Sequence, residues 1–362
     1  MVDKKEDYVT EPESEELFCA LPDVPQRELD PNIDSFRLEA IRVVAKQWAN
    51  GTVLHYYFFD QPADGGWVGA PDQQQAVRDG FQTWKDLDIG LVFEEGDVRE
   101  AAEVRIGFLL GGGSWSYVGR DVIDLVPDPN RRTMNLGWNV TTAFGRDTAL
   151  HEIGHTLGLK HEHQNPNSGI VWDEDAVYAY FTGPPNNWTR AQTDRNVLDK
   201  IDPRTVEGSV WDSNSIMHYS FRAGLINLPA RFQNGLTPRP GLSDLDIEWA
   251  RRFYPPLAAE DEKTLAPFEV QRIEIDPGEQ VDFHIRPTAS RRYTIQTFGQ
   301  SDVVMVLFEL RDGRPHYLDG DDDSGYDRNA RLQLRLERGR EYILRLRLYY
   351  AHRTGETAVF MW

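Results

Sequence analysis

The spacing of apolar positions changes period several times along this chain, and each change predicts a new element. Val53, His55, Tyr57 and Phe59 alternate with their neighbours, as the side chains of a strand do. From Gln73 to Asp86 the period lengthens. Ala76, Phe81 and Trp84 then share one side, which predicts a helix. Glu103 to Leu109 reads as another strand. Thr133-Met134-Asn135-Leu136-Gly137 is predicted to be an edge strand. The next helix is predicted to begin at Asp147 and Thr148, with Ala149, Leu150, Ile153 and Leu157 as its apolar contacts.

Residues 162–214 lose this order. They carry Pro166, Pro184, Pro185 and three tryptophans, Trp172, Trp188 and Trp211, and predict a loop-rich lower subdomain. After Pro255-Pro256 the period is two again. Val281, Phe283 and Ile285 point one way; Leu332, Leu334 and Leu336 alternate with Gln333 and Arg335; Leu344, Leu346 and Leu348 alternate with Arg345 and Arg347. Short strands separated by turns predict an all-β sandwich. Residues 1–37 are acidic, with prolines at 12, 22, 25 and 31, and predict an extended arm. The predicted organisation is an arm over 1–37, an α+β domain over 38–256 and a β-sandwich over 263–362.

Composition narrows the partners. The chain has 362 residues, 40% hydrophobic and 27% charged, enough for two cored domains. Its net charge of −20 argues against nucleic acid, whose phosphates would be repelled, and against anionic membranes. No stretch approaches the roughly 18 apolar residues of a membrane span. Residues 1–20 hold seven acidic residues and two lysines, with no apolar core of a secretory leader. A monomer acting on neutral or basic substrates is expected.

The strongest chemistry lies in 151–161, His-Glu-Ile-Gly-His-Thr-Leu-Gly-Leu-Lys-His. His151 and His155 are four apart, so one helix face presents both imidazoles to one point. Gly158 permits a sharp exit from the helix, and His161 can return as a third ligand. Three neutral nitrogens with an open fourth position describe a catalytic zinc site. Glu152, beside the first ligand, can reach a water on the metal and serve as general base.

This motif resembles that of the metzincin metallopeptidases. Ser215-Ile216-Met217-His218-Tyr219 resembles their methionine turn, with Met217 as the turn residue. Glu162 directly after His161, and Tyr219 two residues after Met217, make the resemblance astacin-like. Serralysin-type enzymes share the tyrosine but not the glutamate. The resemblance implies a zinc endopeptidase with Glu162 as a buried structural anchor. It implies Tyr219 as a displaceable further zinc ligand that then stabilises the oxyanion. It extends over Trp48-Ala49-Asn50-Gly51-Thr52-Val53, Ser114 to Arg120, and Leu242 to Ile247 with Tyr254, about residues 45–256. It also implies a metzincin domain with a twisted, mostly parallel sheet. Disulfides usual in that family have no counterpart, because the only cysteine is Cys19.

Phe18-Cys19-Ala20-Leu21-Pro22-Asp23-Val24 resembles the cysteine-switch segment of matrixin propeptides. That resemblance implies an inhibitory prosegment with Cys19 on zinc and Asp23 as the fallback ligand. The set Tyr293-Thr294-Ile295, Asp319 to Gly325 and Glu341 to Leu344 resembles the bacterial pre-peptidase C-terminal domain. Asp319, Asp321, Asp322 and Asp323 are candidate calcium ligands, with a solvated acidic turn as the other reading; an EF-hand spacing is absent. The alternative to an enzyme is a non-catalytic zinc-containing binding protein that uses its β-sandwich for recognition. A secreted, latent enzyme is expected, with the cytoplasm as the other location.

Overall fold

The computed structural model describes residues 17–24, 48, 50–201, 210–256, 263–311, 313–325, 328–350 and 353–362. The predicted arm therefore lies outside the described residues except at 17–24. The chain forms two compact units. One holds 17–24 with Tyr56–Phe81 and Gly96–Asp246; the other holds Trp48–His55, Gln82–Glu95 and Ile247–Trp362.

A five-stranded sheet has the order β2-β1-β3-β5-β4, where β1 is Val53–Phe58, β2 Val92–Glu95, β3 Val104–Gly107, β4 Trp115–Ser116 and β5 Met134–Asn135. β1 pairs parallel with β3, and β3 parallel with β5, while β4 runs antiparallel to β5. One sequence expectation changes here. The 133–137 segment is an interior strand, and the edge is Trp115–Ser116. β1 is a strand as its alternation predicts, but it is buried on both faces from Tyr56 on: Leu54, Tyr56 and Phe58 on one and Tyr57 with Phe59 on the other, while Val53 and His55 are partly exposed. A parallel strand covered on both faces reads as apolar throughout, which blurs period two.

Helix α1, Pro71–Lys85, turns Ala76, Val77, Phe81 and Trp84 inward as the spacing predicts. Phe81 stacks on Tyr56 with centroids 4.2 Å apart. Helix α2, Ala143–Thr156, carries the histidine motif. A Cβ added at Gly80 would lie 2.9 Å from Ile153 Cδ1, so glycine lets α1 approach α2 closely. The region after α2 is less loop-like than its composition predicts. It contains helix α3, Glu174–Phe181, capped by Asp173, and two small antiparallel pairs: β6 Val171–Trp172 with β8 Ile226–Leu228, and β7 Phe221–Arg222 with β9 Gly235–Leu236. Helix α4 is Asp244–Phe253.

The C-terminal strands are β10 Val270–Ile275, β11 Gln280–Ile285, β12 Arg291–Phe298, β13 Val303–Arg311, β14 Arg314–Asp321, β15 Arg331–Leu336, β16 Glu341–Leu348 and β17 Gly355–Met361. They form two antiparallel sheets, β10-β17-β12-β15 and β11-β16-β13-β14. Val281, Phe283, Ile285, Leu332, Leu336, Leu344, Leu346 and Leu348 share one core with residues of both sheets, as the alternation predicts. Arg345, on the intervening positions, is buried as well and pairs bidentately with Asp282, Nε to Oδ1 at 2.7 Å.

Candidate metal centre

Helix α2 begins earlier than predicted. Thr142 is the cap, its hydroxyl accepting from Gly145 N at 3.0 Å. Asp147 and Thr148 lie inside the helix, where Asp147 accepts from Gly241 N and Thr148 Oγ1 from Trp138 Nε1. A Cβ at Gly145 would sit 2.1 Å from Asn139 O, so the first turn abuts the preceding loop too closely for a side chain. The helix ends at Thr156, and Gly158 has φ +94°, the left-handed exit the sequence predicts.

His151 Nδ1 meets Ile216 O at 2.7 Å, and His155 Nδ1 meets Leu159 O at 2.8 Å. Since carbonyls only accept, both Nδ1 atoms carry the proton and both Nε2 atoms present lone pairs. His155 Nε2 lies 3.1 Å from His161 Nε2, and His151 Nε2 is buried without a hydrogen-bond partner. The Cys19 thiol completes the group, 3.6 Å from His155 Nε2; one donor atom from each of the four residues lies within 4.8 Å of the others. Buried imidazole nitrogens and a thiol converging on one point fit a cation. Burial also holds His151 down at about 4, and His155 and His161 well below the usual histidine range, in the neutral form that binds metal.

Glu152 is fully buried, with Oε2 3.5 Å from Cys19 Sγ and Oε1 without a partner. Burial pushes its carboxyl up to about 8. Burial, and next the Glu152 charge, push the Cys19 thiol up. The Tyr219 hydroxyl donates to the backbone carbonyl of Cys19 and lies 3.4 Å from His161 Nδ1. Burial raises this phenol as well.

The centre is tied down from below. Met217 is buried; its N–H donates to Ser215 Oγ, and its carbonyl accepts from Glu162 N at 2.9 Å. Glu162 is only partly buried, and its Oε1 accepts from Asp212 N and Asn165 Nδ2, both at 3.0 Å. From above, Gly119 N donates to His155 O, and Ser116 Oγ lies 3.3 Å from Thr156 Oγ1, which joins β4 to α2.

A model of the astacin peptidase family matches residues 40–254, more than half of the chain. The chain belongs to the astacin family. Within the curated astacins and their relatives, Protein SpAN of Strongylocentrotus purpuratus is 29% identical over 160 residues, covering 41% of this chain and 22% of that protein. Tolloid-like protein 1 of Homo sapiens is 34% identical over 154 residues, covering 39% of this chain and 13% of that protein. The match thus spans about a fifth or less of these relatives' length. Among solved structures, myroilysin is 30% identical with a TM-score of 0.53, covering 60% of this chain and 98% of that one.

In this astacin the structure brings Cys19, His151, Glu152, His155, His161 and Tyr219 to one place. Asp23, the fallback ligand, is elsewhere: its carboxylate is exposed and pairs with Arg195 at 3.2 Å. Of the two candidate ligands, only Cys19 groups with the histidines. Asp321, Asp322 and Asp323 also gather, but Asp319 is not part of that group and accepts from Gly320 N instead. The sequence reading missed Asp246. Its buried carboxylate accepts from Ser215 Oγ at 2.6 Å, Ile216 N at 2.8 Å and Ser243 N at 2.9 Å. It therefore fixes the turn whose Ile216 carbonyl orients His151. The only signal in the sequence was its place in the astacin-like Leu242 to Ile247 segment. Asn196 was missed as well; its Oδ1 accepts from Leu21 N at 3.0 Å and anchors the arm.

Proposed function

We propose that the chain is a zinc-dependent endopeptidase that hydrolyses peptide bonds in proteins and is held latent by residues 17–24. The observation that carries this reading is the convergence of three neutral imidazole nitrogens on one point beside Glu152, with the Cys19 thiol at that same point. His151, His155 and His161 would hold zinc, which would supply Lewis-acid polarisation of a carbonyl and a lowered pKa for water. Glu152 takes a proton from the attacking water and delivers it to the leaving amine. Tyr219, whose hydroxyl already donates to a peptide carbonyl, that of Cys19, is placed to donate to the oxyanion. While Cys19 sits against the histidines, its thiol and backbone exclude substrate.

Replacing the base tests the chemistry. Glu152→Gln should keep zinc, measured by atomic absorption, and lose peptide cleavage by about 10² to 10⁴; retained turnover would overturn the assignment. Cys19→Ala in the full-length chain should raise activity, and unchanged activity would remove Cys19 from the reading. If protein nicked within the arm hydrolyses no casein, the second reading stands instead, a binding protein whose metal stays capped. We also read the protein as a secreted zymogen with the pre-peptidase C-terminal type of sandwich, the former on family membership and the latter on its strand and turn pattern. Calcium at 321–323 would rest on three carboxylates alone, and the reading does not need it.

A further inference from the structure

The arm does more than bring a sulfur to the histidines. Phe18, the residue before Cys19, is 6% exposed and surrounded by rings. Phe181 lies 4.7 Å away between centroids, Tyr219 5.3 Å, Tyr180 6.0 Å, Trp188 6.3 Å and Phe221 6.4 Å. Most of these contacts are edge-on, the geometry aromatic pairs prefer. Tyr219 belongs to both this pocket and the metal centre, so the pocket opens directly beside the place where a scissile bond would lie.

The backbone around Phe18 is held as a peptide would be. Ala20 N donates to Ser114 O at 3.1 Å, next to edge strand β4. Leu21 N donates to Asn196 Oδ1, and Cys19 O accepts from Tyr219. Three successive residues thus engage fixed polar groups, while the Phe18 side chain just before them fills an apolar hole.

We propose that the Phe18 pocket is the main side-chain subsite of this peptidase and takes a large apolar, preferentially aromatic, side chain adjacent to the scissile bond. This rests on the peptidase reading above and names its substrate class. The five rings that face Phe18 carry no formal charge. The nearby guanidinium of Arg222 lies over Tyr180, 4.0 Å from that ring's centroid, and is itself exposed. A carboxylate or ammonium buried among these rings would lose its hydration with no opposite charge on any of the five. A small side chain would leave the rings without contacts.

Two measurements test the pocket. The first is cleavage of a position-scanning peptide mixture by the full-length Cys19→Ala protein after nicking within the arm and dilution, which empties the pocket of Phe18. Peptides with Phe, Tyr, Trp or Leu at one residue flanking the cut should be cleaved at least about tenfold faster than those with Asp, Lys or Gly there. A flat profile, or preference for a charged residue at both flanking positions, overturns the proposal and leaves the peptidase reading intact. The second needs no turnover. In full-length Glu152→Gln protein, Phe18→Trp and Phe18→Leu should keep 17–24 as resistant to proteinase K as the parent. Phe18→Asp should be nicked at least about tenfold faster. An aspartate variant as resistant as the parent overturns the pocket's apolar preference. Absence of all peptide cleavage overturns the peptidase reading instead, while the nicking comparison still decides what the pocket accepts.

Discussion

Asp246 is the residue on which the metal centre's geometry depends most indirectly. Its carboxylate is buried and raised by that burial, yet three donors satisfy it. Asp246→Ala would leave the Ile216 N–H buried and unpaired, at a cost of about 1–3 kcal/mol. It would also free the carbonyl that orients His151. Such supporting partners typically govern about 10- to 100-fold in metal affinity. The expected outcome is a lower melting temperature together with weaker zinc retention in a chelator competition, with Asp246→Asn intermediate; a variant that melts early but holds zinc as tightly as the parent would confine Asp246 to folding. The histidines were legible in the sequence because their geometry is local, four residues on one helix and one glycine beyond it. Asp246 was not, because Ile216, the turn it pins, lies 30 residues away and no spacing links them.

At the scale of elements, legibility followed length. Helix α1 and the sandwich strands run 6 to 15 residues, long enough for a period to repeat. β4 and β5 have two residues each, so nothing in their pattern distinguishes edge from interior. The start of α2 was misread for a related reason. Asp147 and Thr148 are good capping types, but Thr142 has the cap position, and Gly145 allows the turn to press on Asn139 and Val140. Gly145→Ala should therefore destabilise the protein by about 1–3 kcal/mol in urea denaturation, an overpacking cost in place of the usual helix gain from alanine. A variant more stable than the parent would show that the loop yields freely.

The whole molecule carries 20 excess negative charges, and in one place they crowd. Burial, followed by Asp323 and Asp321, pushes the Asp322 carboxyl up to about 7. The unfolded chain ionises this group near pH 4. Between those values the folded state holds the extra proton, so the stability it contributes is full below pH 4 and lost as pH rises to 7. Asp322→Asn should then melt above the parent at pH 8, by the few degrees that about 1 kcal/mol yields, and close to it at pH 4.5. An offset that does not change with pH would show that the charge is screened. The two-sheet sandwich itself was legible, since strands such as β11 alternate buried and partly exposed positions. The crowding was legible only as an acidic run, because burial of its middle member depends on the folded turn.

On the proposed latency, the arm and the centre it covers belong to one chain, and that would set how inhibition responds to dilution. A tethered segment meets its site at an effective concentration on the order of millimolar, whatever the protein concentration. Once cut between the arm and the sheet, the same residues become an ordinary peptide ligand, present only at the concentration of the protein that released it. At nanomolar protein such a peptide would need nanomolar affinity to return. Contacts of Phe18 and Cys19 that would suffice in the intact chain need not suffice afterwards, so on this reading a single backbone cut would make activation effectively one-way without altering any residue of the centre.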